Sequence, residues 1–236
     1  MSTALISVQN LGMKRGDFQL DIADWIVRPG EIVGLVGPNG AGKTTLLQML
    51  HGLYPPESGT VSVLGHDPFL KPVEVRSRVG FGSESVELFA MSVTNVMRFL
   101  KGYYPDHWKD GLCAELMERL SIDPAWKVGQ LSRGQELSIR LVAAMAFEPQ
   151  VLLLDEPTTG LDLGHRTRLF EVLLEIVQSG ERSVVISSHS LPDVERISDR
   201  LLVLGDGKVL GDGKVDELVG DERTLEEAMV AWGVAG

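Results

Sequence analysis

Cysteine is nearly missing from these 236 residues: Cys113 stands alone. That excludes a disulfide framework and a cysteine-built zinc site, and it fits a reducing compartment. Basic residues are scarce beside acidic ones, 22 Lys and Arg against 33 Asp and Glu, for a net charge of −11. Coating a nucleic-acid backbone takes a basic stripe, so nucleic acid is not an expected partner, although a local basic pocket for a nucleotide remains open. The longest apolar runs, Leu141–Phe147 and Val151–Leu154, fall far short of the roughly 20 residues that span a bilayer. Met1 to Gln9 lacks the basic start and apolar stretch of a signal peptide, so no targeting segment is expected. Low-complexity segments and internal repeats are missing as well. What remains is ordinary globular composition, 44% hydrophobic and 23% charged. The length allows one large domain or two small ones, with a core that needs no staples.

Strand-like and helical runs alternate, which argues for an α/β layered fold with a largely parallel sheet. Glu31 to Gly37 reads as a short buried strand between Pro29-Gly30 and a glycine-rich loop. A helix is predicted over Lys43–Leu53, a strand over Thr60–Leu64, and a fully buried strand at Val151–Leu154. Leu169, Val172, Leu173, Ile176 and Val177 share one side of a helix predicted over Leu161–Ser179 that stops at Gly180. Ser183–Ser187 is another strand, and Leu201–Leu204 with Lys208–Leu210 reads as a hairpin around Gly205-Asp206-Gly207. From about Val86 to Phe147 the pattern turns mainly helical, over Val93–Leu100, Gly111–Leu120 and Leu137–Phe147. This is read as a helical insert in the core, and Gly211 to Gly236 as a closing helix with a short tail.

Two segments carry phosphate chemistry. Gly37, Pro38, Asn39, Gly40, Ala41, Gly42, Lys43, Thr44 and Thr45 contain G-x-x-x-x-G-K-[ST]. Glycines let backbone N–H groups point at oxygens, and the following helix aims its positive end at the same place. Lys43 is expected to reach the β- and γ-phosphates of a nucleotide triphosphate, and the Thr44 hydroxyl to ligate Mg²⁺. The apolar strand ending Asp155-Glu156 adds an expected metal-shell carboxylate, Asp155, and a base, Glu156, that polarises the attacking water.

With these residues in view, the chain resembles the ATP-binding cassette (ABC) ATPases from about Ile6 to Leu218. Leu131-Ser-Arg-Gly-Gln135 is similar to the family's signature motif, usually LSGGQ. Pro157 to Asp162 resembles the D-loop, and Ser187-Ser-His189 the segment of the switch histidine. The resemblance implies a P-loop NTPase (RecA-like) core with a mainly parallel sheet, an N-terminal antiparallel β subdomain and an inserted helical subdomain, all within one domain spanning 1–236. It implies that His189 contacts the γ-phosphate. It further implies that Ser132, Gly134 and Gln135, with Asp162, meet the ATP of a second cassette, identical or paralogous, so that two ATP are enclosed head-to-tail. Ser132 is also a good N-cap, leaving a positive helix end with no anion of its own.

Three positions depart from the family pattern. Arg133 replaces a signature glycine, Glu84 falls where the Q-loop glutamine belongs, and Arg15 occupies the register of the aromatic that stacks on adenine. Glu84 is expected to ligate Mg²⁺ or its water, with a solvated loop acid as the alternative. Either the Arg15 plane or Phe18 is expected against adenine. Tyr103 to Trp108, Glu84 and Ser188 to Glu195 look most like bacterial exporter-type cassettes, although Tyr104 and Trp108 have packing as an alternative role. The implied function is ATP hydrolysis that drives a separate membrane permease, from the cytoplasmic face of the cell membrane. The permease would dock a short helix near Glu84–Phe99. A regulatory ATPase of translation or DNA repair would carry two cassettes or a long coiled coil. A kinase or GTPase would need an acceptor site or a guanine-reading motif. Neither set of features is evident.

Overall fold

Three apolar runs form the middle of the parallel part of the sheet because strands buried on both faces have no polar side to show. The computed structural model describes residues 4–219 and 224–232. These strands are β3 (Ile32–Val36), β6 (Val151–Asp155) and β7 (Ser183–Ser187), each buried throughout. Alternate residues serve opposite layers. Ile32, Leu152, Leu154, Val184 and Ile186 join one hydrophobic cluster, while Val33, Leu35, Val151, Leu153 and Val185 join the other.

The remaining strands are β1 (Ile6–Arg15), β2 (Phe18–Val27), β4 (Ser58–Val63), β5 (Val79–Ser83), β8 (Arg200–Gly205) and β9 (Lys208–Gly213). The helices are α1 (Lys43–Leu50), α2 (Pro72–Arg76), α3 (Val93–Lys101), α4 (Asp110–Arg119), α5 (Arg133–Met145), α6 (Leu163–Val177), α7 (Leu191–Ile197), α8 (Val215–Val219) and α9 (Leu225–Ala231). Strand order across the sheet is β4-β1-β2-β9-β8-β3-β7-β6-β5. The run β8-β3-β7-β6-β5 is parallel. Antiparallel pairing joins β1 to β2 and β4, and β8 to β9. The α/β class, the mainly parallel core and the antiparallel N-terminal strands agree with expectation.

One cluster lies between α1 and the β1–β2 hairpin, where Leu46, Leu47 and Leu50 are buried with Leu20 and Ile22. The other lies under α3, α4 and α5, which occupy the chain between β5 and β6. Tyr104 stacks on Phe147 at 4.0 Å and Trp108 is buried there, so both pack these helices.

Several element ends differ from the sequence reading. The first helix stops at Leu50 and not Leu53, because the chain turns at Gly52 with φ +76°. The helix expected over Leu137–Phe147 begins at Arg133, four residues early, since the Ser132 cap starts it. Asp162 likewise starts α6 at Leu163 instead of Leu161. The single closing helix is two, α8 and α9; 220–223 and 233–236 lie outside the described residues.

Candidate functional site

The turn from β3 into α1 is too tight for side chains at Gly37 and Gly42. Gly37 has φ +150°, and a Cβ there would meet the Leu204 carbonyl oxygen at 2.2 Å; Gly42 has φ +106° with Leu20 and Phe18 beneath it. The backbone therefore wraps a cleft of about 380 Å³ lined by 38–45, Arg15, Phe18 and Glu156. Lys43 is buried, and its Nζ donates to the Gly37 carbonyl at 2.6 Å and to that of Pro38 at 3.2 Å. Burial lowers its pKa, and the carboxylates of Glu156 and Asp155 oppose that shift. A buried cation held by two loop carbonyls at the positive end of α1 is prepared for a polyanion. At the cleft's other end the Arg15 guanidinium lies 5.4 Å above the Tyr54 ring.

Asp155, 7% exposed, ends β6 behind this loop. Three hydroxyls surround its carboxylate. Thr44 Oγ1 lies 3.0 and 2.9 Å from the two oxygens, Ser187 Oγ donates to Oδ1 at 2.8 Å, and Ser83 Oγ lies 3.4 Å from Oδ2. Sheet register explains the gathering, because Ser83, Asp155 and Ser187 are direct partners across β5, β6 and β7. One carboxylate facing one threonine hydroxyl suits Mg²⁺, which keeps waters and takes its other oxygens from phosphate. Among the described residues no cluster of three or more His, Cys, Asp or Glu gathers to hold a metal by itself.

Glu156 follows with φ +51°, a left-handed conformation that costs a non-glycine residue about 1–3 kcal/mol. Its amide donates to Ser187 Oγ at 3.0 Å and to the Ser187 carbonyl at 3.2 Å. Its Oε2 accepts from His189 Nδ1 at 2.6 Å and from the His189 backbone at 3.3 Å. Thus Lys43, Thr44, Asp155, Glu156 and His189 form one contiguous group.

The signature residues sit elsewhere. Ser132 caps α5 reciprocally: its Oγ accepts from the Gln135 amide at 3.3 Å, and Gln135 Oε1 accepts from the Ser132 amide at 2.9 Å. Asp162 caps α6, accepting from the His165 amide at 2.9 Å and the His165 ring at 2.7 Å. Those hydrogen bonds hold its carboxyl below the usual range. Gly134 abuts the D-loop so closely that a Cβ would meet the Gly160 carbonyl at 2.7 Å. Ser132, Gly134, Gln135 and Asp162 line a second cleft of about 290 Å³. It shares no lining residue with the first.

The structure places Glu84 on the surface, with no hydrogen bond or ion pair among the described residues. The residue of that loop that reaches Asp155 is its neighbour, Ser83. Sequence reasoning assigned no role to Ser83 or to the Ser187 side chain. No local pattern marks an isolated strand serine, and only the strand register brings these two to Asp155.

The ABC transporter family model matches residues 20–159. The chain belongs to the ABC transporter family. A relative, the Nod factor export ATP-binding protein I from Burkholderia orbicola (strain AU 1054), is 35% identical over 228 residues, covering 94% of this ABC ATPase chain and 75% of the relative. Bacillus subtilis (strain 168) NatA, an ABC transporter ATP-binding protein, is 29% identical, with coverage of 84% and 82%. Among solved structures, an ATP-binding subunit of an ABC transporter superposes with a TM-score of 0.88 at 24% identity, covering 97% of this chain and 99% of its own. That likeness bears on the fold, which is the P-loop NTPase type. Within the family this chain is the ATP-binding, ATP-hydrolysing subunit.

Proposed function

We propose that the ATPase works as a head-to-tail dimer around two ATP, with the second cleft of each protomer closing over the first cleft of its partner. The observation that carries this reading is the separation of the clefts. The phosphate loop, Asp155, Glu156 and His189 stand together, while Ser132, Gly134, Gln135 and Asp162 line a space that touches none of them. The second cleft offers a helix N-terminus and a hydroxyl to an anion that its own protomer holds elsewhere.

In this reading 37–45 cradle the triphosphate, with Lys43 on the β- and γ-phosphates and Arg15 or Phe18 beside adenine. Thr44 and Asp155 hold Mg²⁺, which when bound neutralises charge on the phosphate oxygens. Glu156 accepts the proton of the attacking water. His189, now paired with Glu156, turns to the γ-phosphate. Glu84 helps to hold Mg²⁺ or its water. The chain acts as one domain over 1–236, with a helical insert at about 86–147.

The energy of hydrolysis drives a permease on a separate chain. Among the described residues no helix is long and apolar enough to cross a membrane. The permease docks in the groove between core and helical segment, where His51 and Phe81 face Leu88, Phe89 and Tyr104. The proposed direction is export, as the names of relatives for Nod factor export and daunorubicin resistance suggest. The working place is the inner face of the cell membrane. Glu156→Gln tests the scheme: it keeps ATP affinity and stalls turnover, and light scattering with ATP shows the mass doubling. A monomer under saturating ATP would contradict the sandwich.

A further inference from the structure

We propose that Ser187 is a positioning residue that ties the metal-side carboxylate of Asp155 to the backbone of the base, Glu156. The proposal rests on the roles given to those two acids above. A single hydroxyl has one proton and two lone pairs, and Ser187 uses them in opposite directions. It donates to Asp155 Oδ1 at 2.8 Å and accepts from the Glu156 amide at 3.0 Å. The polarity is fixed, because an amide cannot accept and an ionised carboxylate cannot donate.

Ser187 sits inside the sheet. It is fully buried and pairs in register with Asp155 on one side and with Leu35 on the other. Leu35 precedes the phosphate loop by one residue of β3, so this row of the sheet feeds the phosphate, metal and base positions together. Glu156 needs such a hold because its backbone sits at φ +51°. Without the hydroxyl, its amide keeps only the Ser187 carbonyl, at 3.2 Å. The other two hydroxyls around Asp155 do not do this. Thr44 and Ser83 bond the carboxylate and make no hydrogen bond to Glu156. Ser187 alone among the described side chains hydrogen-bonds to both acids, and it stands two residues before His189, which holds the Glu156 carboxylate.

A residue that orients a metal-holding carboxylate in this way is expected to change metal affinity and turnover together, by about 10–100-fold, and to leave metal-free nucleotide affinity alone. The test compares Ser187→Ala with the near-isosteric Ser187→Cys in the full chain, each checked by its melting temperature. Free Mn²⁺ is followed by electron paramagnetic resonance during titration of protein loaded with a non-hydrolysable ATP analogue. Analogue affinity in EDTA, kcat and KM complete the set. The expected result is a raised Mn²⁺ half-saturation and a lowered kcat in whichever variant folds, with KM and the EDTA affinity unchanged and recovery in Ser187→Thr. Wild-type Mn²⁺ half-saturation and kcat in a folded variant would overturn the proposal. Asp155→Asn separates the two layers. If it weakens Mn²⁺ binding while Ser187→Ala does not, only the Ser187 role fails. If neither weakens it, the metal assignment of Asp155 falls as well.

Discussion

The two clefts of this chain differ in how their polar groups are used. In the first, Lys43 and Asp155 are buried and bonded to loop carbonyls and hydroxyls. In the second, Ser132 and Asp162 are exposed and Gln135 is half-buried, and all three spend their hydrogen bonds on capping α5 and α6. A buried charge is expensive to keep unless something recovers that energy. The first cleft therefore bears the mark of a polyanion and its cation, while the second is stable without any ligand. That difference is what a shared site between two protomers requires: one half binds nucleotide alone, and the other matters only after it is bound.

The sharpest way to break this comparison is Lys43→Ala. It removes the one buried cation of the first cleft, and nucleotide affinity should fall by about 100-fold or more, equivalent to roughly 3 kcal/mol, measured by titration calorimetry. Unchanged affinity would remove the contrast. Gly134→Ala should do the reverse. Its Cβ collides with the Gly160 carbonyl and shifts the first turn of α5, so the monomer should bind ATP as before while turnover falls roughly 100-fold, the usual loss on displacing one preorganised donor. A smaller effect concerns the far end of α1. Burial pushes His51, at the end of α1, down to about 4, and its Nδ1 has no partner. Its folded pKa lies below the unfolded value, so stability is intact above about pH 6.5 and is lost as pH falls toward 4, by up to about 3 kcal/mol. His51→Gln should flatten that acid limb in chemical denaturation; an unchanged limb would exclude His51 as its source. The smallest expected effect is at Glu84. Glu84→Gln should raise the Mg²⁺ half-point of hydrolysis a few-fold. No change would make Glu84 a solvent-facing loop acid.

The first cleft was legible because its chemistry is local. Nine consecutive residues, 37–45, state the loop, and Asp155-Glu156 end an unmistakable apolar run. The capping roles of Ser132 and Asp162 were half legible, and the helices began where those caps dictate. Three strands hid for physical reasons, β1, β2 and β5; in β2 the buried alternation of Leu20 and Ile22 breaks at Ala23-Asp24 before resuming at Trp25 and Val27. In β1 the alternation of Ile6 and Val8 breaks at a bulge between Gln9 and Gly12, where Asn10 has φ +47°, before resuming at Leu11 and Met13. In β5 two glycines occupy positions where α5 comes too close for side chains: a Cβ at Gly80 would meet the Ala144 carbonyl at 2.2 Å. The row Ser83–Asp155–Ser187 was not legible at all, since it exists only through the register of three strands far apart in the chain.

Head-to-tail closure is tested most directly by a disulfide across the shared site. Burial pushes the Cys113 thiol up to about 11, so the native cysteine is slow to oxidise, and Cys113→Ser removes it. Asn39→Cys in the phosphate loop and Ser132→Cys at the signature are then combined in one chain. The account predicts a covalent dimer that forms with ATP and not without it, and that neither single variant gives. A chain that stays monomeric with ATP, or cross-links equally well in its absence, would contradict it.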